Sequence, residues 1–164
     1  MAAGETASIV IIGQAPGRKV HETGVPWDDP SGNNLRKWLG IEPEIFYDES
    51  IIALMPMSFC YPGKGTSGDL PPRKECAPLW HDSVLAEMKS RKLVLLIGQY
   101  AQAYYLRENA KRNLTETVRC FAEFLPDYFP LPHPSPRNNI WQKKNPWFTT
   151  DLLPKLKTTI HSVL

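Results

Sequence analysis

Several signatures that usually announce a function class are missing from this chain. No apolar run approaches the ~20 residues of a membrane-spanning helix. The opening MAAGETASIV has no basic stretch followed by an apolar core, so no secretion signal is expected. Cysteine is scarce: Cys60, Cys76 and Cys120 are irregularly spaced, which argues against a disulfide framework and fits a reducing compartment, with the cytoplasm the expected location. There is no internal repeat, no low-complexity tract and no linker, so the 164 residues are expected to form one domain, 1–164, around one core. Charge of either sign is also modest. A net charge of +2, with an isoelectric point near 8.4, neither demands a polyanionic partner nor excludes one.

Proline, by contrast, is abundant. Sixteen prolines among 164 residues imply many fixed loops in place of long regular elements. The basic pairs Arg18/Lys19, Arg36/Lys37, Arg73/Lys74 and Lys143/Lys144 lie mostly in or beside Pro/Gly-rich segments. They are either solvated surface charge or cations on functional loops.

Three apolar runs read as buried strands: Ser8-Ile-Val-Ile-Ile-Gly13, Ser50-Ile-Ile-Ala-Leu-Met-Pro-Met57 and Lys92-Leu-Val-Leu-Leu-Ile-Gly98. Tyr128-Phe-Pro-Leu131 is a short fourth strand containing Pro130. Strands without polar alternation belong to a sheet covered on both faces, usually a parallel one. Helical patterns fill the gaps: Ser31–Leu39, capped at Ser31 and stopped by Gly40, then Pro78–Ser90, Gln99–Arg107, and a last helix between Trp147 and Val163. The alternation predicts a three-layer α/β/α sandwich on a four-stranded, mostly parallel sheet. Ligands bind such sheets beyond the carboxyl ends of the strands. That edge receives Gly13–Gly17, the Met57–Pro72 loop and Pro132–Asn139.

Chemistry concentrates in those segments. Gly13-Gln14-Ala15-Pro16-Gly17 leaves a strand directly, and its glycines allow a close backbone approach with amides aimed at a ligand. It has neither the Gly-Lys-Ser/Thr ending of a Walker loop nor the third glycine of a dinucleotide fingerprint, and a tight strand-end turn fits it as well as a site does. Trp27, in Gly24-Val-Pro-Trp27 ahead of Asp28, Asp29 and Pro30, is either a stacking platform for a planar ligand or an aromatic closing the end of the core. Leu131-Pro-His133-Pro-Ser135-Pro136-Arg137-Asn138-Asn139 cannot continue a helix, and its prolines restrict the backbone around one histidine.

In that order the three motifs resemble the uracil-DNA glycosylase superfamily, over most of the chain. Gln14-Ala15-Pro16-Gly17 is similar to the first motif, written Gly-Gln-Asp-Pro in one branch and Gly-Glu-Ala-Pro-Gly in the thermostable iron–sulfur branch. Trp27 stands where that second branch carries the aromatic of Gly-x-Pro-Phe, which stacks on the flipped base. His133-Pro-Ser-Pro136 matches the second catalytic motif, whose histidine hydrogen-bonds the base carbonyl. The residues after it enter the minor groove, with Arg137 where the best-known branch has a wedge leucine.

The resemblance implies a monofunctional, cofactor-free monomer that extracts and removes uracil or a related damaged base from DNA. It assigns His133 to the leaving base, with Gln14 through its carbonyl, or Glu22, as the groups left to order water. Gly13, Ala15, Pro16, Gly17 and Trp27 would hold the substrate, while Arg18, Ser135, Pro136, Arg137, Asn138 and Lys143 would meet DNA. Two departures accompany it. Ala15 stands where one branch has a water-activating aspartate. The base-reading asparagine expected after the second strand is absent from Leu54-Met-Pro-Met-Ser58, which leaves Ser58, Asn33 and Asn34 as substitutes. The iron–sulfur branch also places two cluster cysteines in settings like those of Cys60 and Cys76. Three cysteines cannot supply four thiolates, so no cluster is expected, and Cys60 and Cys76 are read as remnants or plain buried thiols. A non-catalytic lesion-binding protein and a hydrolase of free nucleosides or nucleotides are the competing readings.

Overall fold

A computed structural model describes residues 1–66 and 68–164. The four apolar runs form β1 (Ile9–Gly13), β2 (Ile52–Pro56), β3 (Leu93–Ile97) and β4 (Tyr128–Leu131). They pair in the order β2-β1-β3-β4, and every pair is parallel. Ile11 lies level with Leu54 on one side and Leu95 on the other, and Leu95 level with Phe129. Every residue of β1 and β3 is buried, as expected of central strands covered on both faces.

Strand pleating divides the core in two. Ile9, Ile11, Leu54, Leu95 and Phe129 face one layer, with Leu35, Trp38, Phe148, Leu156 and Ile160 packed on them. Val10, Ile12, Met55, Val94 and Leu96 face the other, against Ala77, Met88 and Ala101. The first layer holds α2 (Pro30–Leu39), α3 (Pro43–Phe46), α6 (Leu114–Arg119) and α8 (Leu153–Val163); the second holds α4 (Cys76–Glu87) and α5 (Gln99–Leu106). Two short helices, α1 (Arg18–Thr23) and α7 (Asn139–Lys144), follow the strand-end loops. The chain is the expected α/β three-layer fold.

Pro130 is tolerated because β4 is an edge strand, paired only with β3. The other edge is partly covered: Ala2 pairs antiparallel with Leu54, giving and receiving backbone hydrogen bonds of 3.1 and 2.6 Å. Some boundaries differ from the sequence expectation. The cap of α2 is Asp29 in place of Ser31: its carboxylate accepts from the Gly32 N–H at 2.8 Å, and Pro30 takes the first helical position. The helix expected over Pro78–Ser90 runs from Cys76 to Glu87. The last helix is preceded by a π-helical turn at Phe148–Leu152.

Candidate active site

The carboxyl ends of β1, β2 and β4 open into one cleft of about 720 Å³, lined among others by Gly13, Gln14, Ala15, Pro16, Gly17, Arg18, Trp27, His133, Ser135 and Arg137. Its floor is held by the sheet continuing past its formal end, since the Met57 and Ser58 amides donate to the Gly13 and Gln14 carbonyls at 2.8 and 3.2 Å. The Gln14 backbone carbonyl therefore accepts one hydrogen bond, from the Ser58 amide. Gln14 lines the cleft, and its side-chain amide makes no hydrogen bond with any described residue.

Trp27 is placed by two glycines. Its backbone has φ 58°, unusual for a side-chain-bearing residue. A β-carbon at Gly13 would come within 2.8 Å of the indole Cζ2, so only a glycine lets the ring lie against the end of β1. A β-carbon at Gly32 would fall 1.8 Å from the Trp27 carbonyl oxygen. Trp27 also packs against the core, so it both closes the end of the core and faces the cleft.

His133 lies next to it, the two rings 5.9 Å apart and tilted by 32°. Pro132 and Pro134 are buried on either side. Three hydrogen bonds fix the loop. Asn34 of α2 donates to the Pro134 carbonyl at 3.0 Å, Asn138 donates to the His133 carbonyl at 2.7 Å, and the Ser135 N–H donates to His133 Nδ1 at 3.2 Å. The last bond fixes the tautomer. An N–H pointing at Nδ1 requires a lone pair there, so the neutral ring carries its proton on Nε2. Burial lowers the His133 pKa below the ordinary imidazole value, with Asp29 opposing the shift. The site therefore presents a neutral N–H donor at neutral pH.

Not every residue singled out from sequence meets in the cleft. Glu22 does not: on α1 it accepts from Arg18 Nε at 2.9 Å, both side chains largely exposed. Its partner Arg18 lines the cleft, and Glu22 itself does not. Ser58 is fully buried, its hydroxyl donating to the Cys60 carbonyl at 3.4 Å and receiving the Cys76 thiol at 3.9 Å; Phe59 lines the cleft in its place. Asn33 is engaged by Arg36 at 2.6 Å. Pro136 and Asn138 form a 3-10 turn beside the cleft, and Lys143 lies on exposed α7. Cys60 is exposed and Cys76 partly so, which corrects the expectation of buried thiols: both sit in the loop leaving β2 or at its end. Among the described residues, no group of three or more His, Cys, Asp or Glu is gathered to hold a metal.

Sequence reasoning brought the Met57–Pro72 loop to this edge but did not single out the residues that form the far wall. Phe59, Tyr61, Lys64, Asp69 and Leu70, all from the loop after β2, line the cleft, and the Tyr61 hydroxyl donates to Asp69 at 3.1 Å. The signal was the length of that loop between β2 and α4, since long loops in compact domains usually serve function. His81 was also missed. Fully buried on α4, it places Nε2 3.1 Å from the Pro56 carbonyl and Nδ1 2.6 Å from the Tyr105 hydroxyl. A carbonyl only accepts, so Nε2 is the donor and Tyr105 donates to Nδ1. Burial keeps this ring neutral as well, which braces the end of β2 beneath the cleft.

The carboxyl ends of a parallel sheet thus bring Trp27, the proline-flanked His133 and the Gly13–Gly17 turn together in one cleft. The family model described as the Uracil DNA glycosylase superfamily matches residues 2–157, and the chain belongs to that superfamily.

Proposed function

We propose that the protein is a monofunctional DNA glycosylase, acting as a monomer without a cofactor, that removes uracil or a related deaminated or damaged base. The observation that carries this reading is His133, held as a neutral Nε2–H donor beside Trp27 in the cleft that receives Gly13–Gly17. A lesion must first leave the base stack, at a cost of a few kcal/mol. The backbone of Gly13–Gly17 and the turn at Ser135–Asn138 take the flanking phosphates, assisted by Arg18 and Arg137. The base then stacks on Trp27.

As the N-glycosidic bond breaks, its electron pair passes to the base and positive charge grows on the sugar. His133 donates from Nε2 to the base oxygen and stabilises the departing anion. Water attacks the sugar carbon and its proton leaves to solvent; the side-chain carbonyl of Gln14 orients that water. Ser58 keeps its hydroxyl buried, and the loop after β2 carries no asparagine or glutamine to read the base. That absence favours the second reading, a lesion-binding protein that does not cleave.

Oligonucleotides carrying one uracil, hypoxanthine or xanthine, single- and double-stranded, decide between them. Alkali-dependent breakage at one lesion is the expected result and names the base. Tight, salt-sensitive binding with no breakage at any lesion establishes the binding protein instead. Within the active case, Trp27→Ala is expected to lower kcat/KM about 10- to 100-fold, the equivalent of ~1–3 kcal/mol of base stacking, while Trp27→Phe retains most of it. Steady-state excision kinetics beside thermal melts check this, since a drop confined to stability would leave Trp27 a core residue only.

A further inference from the structure

Asp69 is an exposed carboxylate on the wall of a cleft whose ligand is a polyanion. Arg18, Lys64 and Arg137 line the same cleft, as cations beside phosphates do. Asp69 forms no ion pair with any described residue, so it is not there to balance one of them. Toward the DNA backbone it is repulsive.

Its position is fixed from two sides. Asp69 is bridged antiparallel to Lys64, and the Leu70 N–H donates to the Gly63 carbonyl at 2.9 Å. Carboxylate oxygen Oδ1 accepts from the Tyr61 hydroxyl at 3.1 Å. The other oxygen, Oδ2, makes no hydrogen bond with a described residue and lies 3.8 Å from where a β-carbon on Gly17 would stand. Beside it the ring of Tyr61 is 6.0 Å from that of His21, tilted by 37°. Trp27 lies against Gly13, at the opposite end of the same turn. Four residues reach at most about 14 Å, so a base stacked on Trp27 leaves Oδ2 to a close neighbour in the strand.

Within a DNA strand a carboxylate finds only one kind of partner. Phosphate and sugar-ring oxygens accept, and the N–H donors all belong to bases. Cytosine, adenine and guanine each carry an exocyclic amino group. Thymine has only an N–H set between two carbonyl oxygens, which repel a carboxylate.

We propose that Asp69 selects the base next to the extracted nucleotide in single-stranded DNA, its free oxygen accepting from an exocyclic amino group while the rings of Tyr61 and His21 support that base. The neighbour is taken unpaired, because pairing engages its amino group and hides its face from the rings. The proposal rests on the DNA-binding part of the glycosylase reading and not on bond cleavage.

The test uses the full chain and fluorescent single-stranded oligonucleotides with one abasic-site analogue, flanked on both sides by cytosine, 5-methylcytosine or thymine. 5-Methylcytosine carries the methyl group of thymine, so it isolates the amino group. In anisotropy titrations, wild type is expected to bind both cytosine contexts alike and about 10-fold more tightly than thymine, the usual worth of one hydrogen bond to a charged group. Asp69→Asn and Asp69→Ala, with folding confirmed by thermal melts, are expected to bind all three alike. Equal affinity of wild type for the three, or a preference that persists in both variants, overturns the proposal. Excision of uracil from the same contexts is followed in parallel. Binding preference without excision removes the catalytic reading and leaves the proposal standing; excision without binding preference does the reverse. No binding to any of the three overturns the proposal together with the DNA reading.

Discussion

Replacing His133 by alanine is expected to slow base excision about 10²–10³-fold, the usual worth of one donor at a developing anion, with DNA affinity retained. The donor helps only as charge appears on the base, so the loss falls on kcat and KM changes little. Two hydrogen bonds to backbone carbonyls and two buried prolines hold the loop independently of the ring, and only the Ser135 N–H bond to Nδ1 is lost on truncation. Truncation should therefore leave the loop in place, and single-turnover excision beside binding titrations will separate the two effects.

The pH profile supplies an independent check. Burial lowers the His133 pKa, and the Ser135 N–H can bond Nδ1 only while that nitrogen is unprotonated. Excision should stay level through neutrality and fall only once pH drops below the ordinary imidazole value of 6.5. Stability has the same sign. Between 6.5 and the lower folded value the unfolded chain binds the proton first, so the contribution present above 6.5 is lost as pH falls through that window. His133→Ala should remove this part of the acid slope.

Gly32→Ala is expected to be the most damaging small substitution, destabilising the fold by about 3 kcal/mol. The added methyl would meet backbone, 1.8 Å from the Trp27 carbonyl oxygen and 2.7 Å from its carbon. No side-chain rotation relieves such a contact. Either the Trp27 loop lifts or the first turn of α2 shifts, and the second also breaks the Asp29 cap on the Gly32 N–H. Gly13→Ala makes an informative partner, because its methyl meets only the tip of the indole at 2.8 Å. The ring can swing aside there, so Gly13→Ala should lower excision with a smaller cost in stability. Urea midpoints and excision rates on both variants would show whether the two glycines divide in this way; equal midpoints would count against the backbone clash.

The sheet was readable because Ile9–Gly13, Ile52–Pro56 and Leu93–Ile97 are apolar on both faces, a pattern that leaves few folds open. The histidine loop was readable because prolines fix a backbone locally, whatever surrounds it. Short helices α1, α3, α6 and α7 span four to six residues, too few for a 3.6-residue period to show itself. The failures at the site have a different origin. Ser58 turns inward and Glu22 outward because of partners, Cys60, Cys76 and Arg18, whose positions are tertiary facts. Its place after β2 brought the Met57–Pro72 loop to the cleft, but the bond between Tyr61 and Asp69 that shapes the wall is a tertiary contact that no local pattern encodes.

Gly32 and Asn34 stand two positions apart on α2. One receives the Trp27 carbonyl, and the other grips the carbonyl of Pro134 beside His133. Platform and donor thus hang from a single girder and keep their gap when that girder moves. A bulkier lesion cannot be admitted by letting either loop drift; room must come from trimming the opposing wall at Phe59 and Tyr61, and directed changes in base preference should begin there.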